Sequence, residues 1–160
     1  MTYDQSVPVA LQALDRALAL LDHATPAMLS TQLRAGILDC AAQFHTVAGF
    51  ALRASFPLTG KTSPNLPEGD PRHALEAARD ALLSLTEADF TDAQTKSIAH
   101  RAGFADLDQS AQEYLQHFAL PNLWFHLCMA FAIMRQQGAD IGKADFDRLH
   151  AYPPGFSWVD

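Results

Sequence analysis

The segment YLQHFALPNLWFHLCMAFAIMRQQG, residues 114–138, decides the fold because it carries a long apolar run followed by a helix stop. Ser110 and Glu113 form a capping-box pattern just before it, and Gly138 is a residue type that commonly follows a helix C-terminus. Pro121 lies inside the run and predicts a kink. We therefore expect the last long helix, helix four, to extend from Ser110 to Gly138.

Three further helical segments precede this one. Leucines at spacings of three and four predict helix one over about 7–23, with Ser6 as its cap and Pro8 in its first turn. Apolar residues at the same spacing predict helix two over about 30–54. An Asp-Pro start and a leucine-alanine stripe predict helix three over about 70–86.

The connections between these helices differ in length. The stretch FPLTGKTSPNLPEGDP, residues 56–71, contains four prolines and predicts a long crossover between helices two and three. The stretch KSIAHRAGFADLD, residues 96–108, loses the helical period and predicts a small β-hairpin before helix four. We therefore predict an all-α chain, a four-helix bundle with one long crossover and a small hairpin.

The C-terminal segment differs in composition from the helices. We assign residues 1–146 to the bundle domain and residues 147–160 to an aromatic tail that carries Tyr152, Phe156 and Trp158 around a Pro-Pro pair. Such a tail can pack over its own bundle or against a second subunit. We expect it to pack on the same domain.

Length and charge restrict the class of function. A chain of 160 residues fits one domain, and its 18 acidic residues against 11 basic ones repel a phosphate backbone, so no nucleic-acid partner is expected. The sequence has no uninterrupted apolar run of about 20 residues, and its start is amphipathic, so we expect no membrane partner and a cytoplasmic location. Cys40 and Cys128 lack redox or zinc spacing and are assigned no chemistry.

Histidines supply the candidate site. Asn122 and His126 are four residues apart on helix four, so both side chains are expected on one inward face. His45 shares an arc of helix two with core alanines and is expected to look into the bundle as well, whereas Gln43 points to another face. His117 lies about 180° around helix four from His126. The remaining histidines, at helix ends or in polar loops, are expected in solvent or as caps: His23, His73, His100 and His150.

Two interpretations of this three-point cluster stay open. Buried histidine and asparagine side chains are commonly core groups that bond a backbone carbonyl or a trapped water, with no ligand. A metal interpretation needs His45 and His126 as neutral imidazoles, and Asn122 offers only an amide oxygen, which is a weak third ligand for zinc.

The chain also resembles a known family. The stretches SVPVALQALDRALALLDHA, residues 6–24, and YLQHFALPNLWFHLCMAFAIMRQQGADIGKADF, residues 114–146, resemble the bacterial and fungal family called domain of unknown function 1993, a branch of the DinB/YfiT-like superfamily. That resemblance implies a four-helix bundle, often a homodimer, with a metal site from one histidine on helix two and two on helix four.

Carried over by residue, the resemblance places His126 on the second helix-four ligand position and Asn122 on the first. His45 falls on or near the helix-two position, where the family more usually carries a glutamine. The implied metal site is therefore altered or lost, and the resemblance implies a pocket more securely than a metal.

Two functions follow as hypotheses. The favoured one is a homodimeric protein that binds an unidentified small molecule in an intra-bundle pocket around His45, Asn122 and His126, with apolar lining from Trp124, Phe125 and Met129. The alternative is an enzyme, a transferase or hydrolase acting on a small thiol or electrophile, in which His45 and His126 hold a divalent metal, zinc or nickel. A purely structural interaction protein would need no pocket.

Overall fold

The computed structural model describes residues 2–157 of the chain. The described chain is mostly helical, with one small antiparallel sheet, in the following order: α1 (Thr2–Leu21), α2 (Pro26–Leu29), α3 (Cys40–Arg53), α4 (Phe56–Thr59), α5 (Pro71–Leu83), β1 (Ser97–Ala102), β2 (Ala105–Ser110), α6 (Ala111–Glu113), α7 (Leu120–Gln136) and α8 (Lys143–Asp147). Short 3₁₀ turns at Glu87–Phe90 and Ala93–Thr95 lie between α5 and the sheet.

The core lies where the four longest helices meet. α3 packs against α1, α5 and α7, and α1 also contacts α5 and α7. Each contributes apolar side chains that are completely buried, among them Leu14, Phe44, Leu75, Leu82, Leu123, Leu127 and Ile133. The arrangement follows from the three-to-four spacing of apolar residues, which gives each helix one apolar face to bury.

α1 begins earlier than we predicted. Its first residue is Thr2, so Ser6 does not cap it and Pro8 lies inside the helix rather than in its first turn. The ring of Tyr3 packs edge-on against Phe90, with centroids 5.5 Å apart, which fixes the added first turn to the body of the protein. The hydroxyl of Ser6 instead donates to the carbonyl of Ala54 at the end of α3.

α3 begins about ten residues later than our predicted helix two. Gly36 has a φ of +88°, a left-handed conformation that ends any helix before it. Asp39 then starts the helix, because its carboxylate accepts the backbone N–H of Ala42 at 2.8 Å. The residues between α2 and Asp39 form an irregular turn, closed by a bridge between Gln32 and Asp39.

The last long helix has the predicted limits but an irregular turn in a different place. Its residues Tyr114–Ala119 form a π-helical turn between α6 and α7. In this turn the N–H of Leu120 bonds the carbonyl of Leu115, five residues back. The expected kink at Pro121 is therefore a widened turn immediately before the proline, which relieves the clash of its ring with the preceding turn.

The predicted hairpin is confirmed. β1 and β2 pair antiparallel in a register that sets His100 opposite Leu107, and the turn contains Gly103 with a φ of +61°. Predicted helix three ends slightly early, at Leu83, because Thr86 starts the following 3₁₀ turn.

The described part of the aromatic tail lies at the end of α7. Tyr152 and Phe156 stack with centroids 4.9 Å apart and line a cavity of about 560 Å³ together with Phe131 and Arg135. Trp158, the third tail aromatic, lies outside the described residues. The division into a domain and a tail remains a prediction.

The helical run from Ala111 to Gln136 is long and apolar enough to cross a membrane by length and composition. It is the one such helix among residues 2–157, and a third of its most apolar window is buried inside the protein. A helix in the core of a soluble protein passes the same test.

Candidate functional site

His126 of α7 meets Gln43 of α3 rather than His45. Nδ1 of His126 lies 2.7 Å from Oε1 of Gln43, and Gln43 is 2% exposed. The amide nitrogen of Gln43 donates to the carbonyl of Leu38 at 3.4 Å, which directs the amide oxygen towards the imidazole. A proton on Nδ1 is thus held by an acceptor, and the other ring nitrogen, Nε2, keeps its lone pair.

Aromatic rings surround this imidazole. Phe50 stacks nearly parallel to His126 with centroids 5.6 Å apart, and Phe125 meets it edge-on at 5.2 Å. Phe50 also packs edge-on against Phe118 at 5.7 Å. Burial beside these rings lowers the pKa of His126 from its usual value, because the imidazolium loses solvation there. His126 is therefore a neutral, half-buried hydrogen-bonding group at neutral pH.

The expectation that His45 and His126 lie together inside the bundle is wrong. His45 points away from that pair, and its Nε2 lies 3.1 Å from the carbonyl oxygen of Pro67 in the crossover. It lines a cavity of about 540 Å³ between α3 and the crossover, with Arg53 and Glu68. The physical reason is the folded-back crossover, which covers the arc of α3 that carries His45.

Asn122 is occupied within its own helix. Its side-chain N–H donates to the carbonyl of Phe118 at 2.7 Å, so the amide supports the end of the π turn.

The three residues of the predicted apolar lining do not lie together. Phe125 is 57% exposed beside His126, whereas the Trp124 ring lies 5.3 Å from the guanidinium carbon of Arg16 on α1. Met129 is half-buried, one turn after His126. The 540 Å³ cavity under the crossover is lined by His45 but by neither Asn122, His126 nor the three apolar residues, so the predicted set does not share that cavity.

The donor atoms near His126 are mostly amides. Gln43 and Asn122 contribute amides, and only His126 contributes an imidazole. Residues 2–157 contain no group of three or more histidine, cysteine, aspartate and glutamate side chains that could hold a metal ion. Zinc and nickel prefer imidazole, thiolate and carboxylate ligands, so these residues do not fit the three-histidine site implied by the resemblance.

Two features of the site were missed by sequence reasoning. Gln43 lies on a different face of α3 from His45, as its spacing predicts, and that face is the one that meets His126. His100 was expected in solvent, yet its ring packs between Tyr114 at 4.8 Å and Phe118 at 4.2 Å, and its Nε2 lies 2.7 Å from Oε1 of Gln109. The alternation of side chains along β1 is the signal that could have turned His100 towards the helices.

The mostly helical architecture with its small hairpin is similar to that of a solved structure. A crystal structure of a DinB family member protein from Shewanella denitrificans is similar to the chain, with a TM-score of 0.82, 25% sequence identity and 94% of each chain covered. The likeness therefore extends over almost all of both chains.

The chain belongs to the domain of unknown function family DUF1993, whose model matches residues 2–147. The family resemblance noted in the sequence is confirmed. No curated protein matches the chain.

Proposed function

We propose that the protein is a four-helix bundle of the DinB type that binds a small molecule against His126. The observation that carries the proposal is the hydrogen bond between Nδ1 of His126 and Oε1 of Gln43. It fixes the tautomer and the ring plane, so that Nε2 can accept a hydrogen bond from a ligand. Hydroxyl, amide and ammonium groups are ligand donors of this kind.

The neighbourhood of His126 supports binding of a molecule with an apolar part. Phe50 and Phe125 provide ring faces and edges beside the imidazole, and Arg53 lies over the Phe50 ring at 5.0 Å. Arg53 also lines the 540 Å³ cavity under the crossover, a volume typical of small-molecule sites. The stack of Arg53, Phe50 and His126 connects that cavity to the candidate hydrogen-bond acceptor.

A homodimer and a cytoplasmic location belong to the same proposal. Phe125, Cys128, Met129 and Ala132 recur at helical spacing on one side of α7, and none of them is buried within one copy of the chain. A second copy could cover this stripe, which would also exclude water from the exposed side of His126. The net charge of −7 favours a partner without phosphates, so neither nucleic acid nor an anionic membrane surface is proposed.

A metal-dependent transferase or hydrolase remains the second proposal. Its support is the hydrogen bond between Gln43 and His126, because metal-binding histidines are commonly oriented by a hydrogen bond to their other ring nitrogen. The donor chemistry described above does not fit the implied zinc or nickel site. No reaction step is therefore assigned to a metal, and small-molecule binding is preferred.

A ligand-observed NMR screen with a library of small amines, alcohols, amides and thiols tests the binding proposal. Ligands found with the native protein are then repeated with His126→Ala, His45→Ala and the exposed His117→Ala. Loss of binding in His126→Ala alone supports the proposed site. Loss in His45→Ala alone would move the site to the crossover cavity, and loss in none would overturn the role of the imidazole.

The metal proposal has its own experiment. The untagged protein is purified without chelator, and zinc, nickel, manganese and iron are measured by elemental mass spectrometry in the native chain and in His126→Ala. A stoichiometric metal that disappears in the variant would establish the second proposal over the first. Equal, substoichiometric metal in both proteins would contradict it.

A further inference from the structure

Arg16 of α1 is buried without a carboxylate partner. The residue is 8% exposed, and none of the ion pairs among residues 2–157 includes it. Its Nη2 donates to the carbonyl of Asp147 at 3.2 Å, while its Nε is buried with no hydrogen-bond partner. A buried guanidinium is costly unless its charge and its donors are satisfied, so this residue requires an explanation.

One face of the guanidinium rests on an aromatic ring. The central carbon of Arg16 lies 5.3 Å from the centre of the Trp124 ring on α7. This contact stabilises the cation and holds the planar group at a fixed tilt. It provides no acceptor for the N–H groups, however, so Nη1 and the second N–H of Nη2 remain as donors for a ligand, whereas Nε is enclosed by protein.

Arg16 lines a cavity of about 480 Å³ between α1 and the end of α8. Pro8, Leu11 and Leu149 give this cavity an apolar part, and Arg148 supplies a second guanidinium. The volume suits a small organic molecule. The cavity thus combines a fixed arginine with an apolar wall.

The two carboxylates that line the cavity already have partners. Asp15 accepts from Nε of Arg79 at 2.8 Å. Asp147 accepts the backbone N–H groups of Leu149 at 2.8 Å and His150 at 3.0 Å, and its carboxylate also contacts the His150 imidazole. The cations of Arg16 and Arg148, together with the amide of Gln12, are therefore the polar groups left to meet a ligand.

We propose that this cavity is a second ligand site, which binds the carboxylate of a small monocarboxylic acid on Arg16 with its apolar part against Leu11 and Leu149. A guanidinium fork matches the two oxygens of a carboxylate. A dianionic phosphate fits less well, because Asp15 and Asp147 also line the cavity and would repel the second charge. The site is independent of His126, which the proposed function uses.

Protein NMR tests the site directly. The ¹⁵N-labelled protein is titrated separately with acetate, butyrate, benzoate and inorganic phosphate, and the Trp124 indole and Arg16 Nε–H resonances are followed. Butyrate and benzoate are expected to shift both resonances saturably and to bind more tightly than acetate, since they fill the apolar part. Phosphate is expected to cause no saturable shift.

The variants separate a binding role from a structural one. Arg16→Lys keeps the charge but removes the fork, so benzoate should bind about tenfold more weakly, the loss of roughly one bidentate contact. Arg148→Ala should also weaken binding, while Arg72→Lys, at an exposed ion pair elsewhere, should not. His126→Ala should leave this binding unchanged, which distinguishes failure here from failure of the proposed function.

Three results would overturn the proposal. The first is the absence of any saturable shift with the carboxylates, which would leave Arg16 as a structural group packed on Trp124. The second is benzoate affinity that is equal in the native protein, Arg16→Lys and Arg148→Ala. The third is saturable binding of phosphate without binding of carboxylates, since that would assign a different ligand class. Should Arg16→Lys fail to fold, the Arg148→Ala comparison decides the matter alone.

Discussion

Nδ1 of His126 and Oε1 of Gln43, 83 positions apart in the chain, lie 2.7 Å from each other across the packed faces of α7 and α3. Gln43 is almost completely buried, so its amide oxygen has no water to replace a lost partner. The contact therefore has both a structural role, tying two long helices, and a chemical one, orienting the imidazole.

A double-mutant cycle on Gln43 and His126 should reveal a favourable coupling. Each single alanine variant removes one partner and leaves the other without its hydrogen bond, which destabilises the fold by about 1–3 kcal/mol. The double variant should be less destabilised than the sum, by about 0.5–1.5 kcal/mol. Urea unfolding measures all four proteins. The control is a second cycle that pairs Gln43 with the exposed His117. Additive effects of the Gln43 and His126 substitutions on the free energy of unfolding would contradict the contact.

The lowered pKa of His126 makes stability depend on pH in a defined direction. The unfolded chain has an ordinary histidine pKa of about 6.5, whereas burial makes the folded protein bind this proton only at lower pH. At pH values between the folded and the unfolded pKa, the unfolded state binds more protons than the folded state. The contribution of His126 to stability is therefore present above about pH 6.5 and is lost as the pH falls below that value.

The measurement is the free energy of unfolding of the native protein minus that of His126→Gln, from pH 8 to pH 5. Because the other titrating groups are common to both proteins, their contributions largely cancel in the difference. We expect the difference to decrease as the pH falls. A flat difference, or one that increases towards pH 5, would show that burial does not hold the imidazole neutral.

Local sequence signals predicted two helix starts that carry strong side-chain caps, but not a third, Asp39 of α3, because periodicity placed that start about ten residues too early. Ser110 and Glu113 form the expected capping box, and Asp70 caps α5 through the N–H of Arg72 at 2.9 Å. Prediction failed where a tertiary contact decides the end. The first turn of α1 depends on Tyr3 meeting Phe90, which lies far away in sequence and has no local signal.

The candidate site was predicted only in part for a related physical reason. Helical periodicity predicts His126 on an inward face, and its imidazole contacts Gln43 of α3. Periodicity could not decide which face of α3 meets α7, because His45 and Gln43 both lie beside apolar residues. The crossover covers His45 through Pro67, and that long-range packing selects Gln43 as the partner.

Ser6 offers a second test of buried polar packing. Its hydroxyl donates to the carbonyl of Ala54 at 2.8 Å and lies 2.8 Å from the hydroxyl of Ser55, with both serines fully buried. Ser6→Ala should destabilise the protein by about 1–3 kcal/mol, since it leaves the buried carbonyl of Ala54 and the hydroxyl of Ser55, just after α3, without this partner. Chemical denaturation measures the change. Ser84→Ala, at an exposed serine, is the matched control and should stay within about 0.5 kcal/mol of the native protein.

The two cysteines should differ in reactivity in a way that also reports the proposed dimer. Burial raises the pKa of Cys40 to about 12, and its sulfur lies 3.8 Å from the carbonyl of Ala130, so it should not react in the native state. Cys128 is exposed on the stripe of α7 that a second copy would cover. A disulfide reagent should therefore label one thiol, and Cys128→Ser should abolish that labelling.

If the stripe is the dimer interface, the labelling rate of Cys128 should fall as the protein concentration rises. Phe125→Glu introduces a charge into that interface, so it should yield a monomer by light scattering and remove the concentration dependence. Leu83→Glu, at an exposed leucine of α5, is the control and should leave both observations unchanged. A native protein that scatters as a monomer, with Cys128 labelled at one rate at every concentration, would contradict the interface, because an exposed stripe without a partner protects nothing.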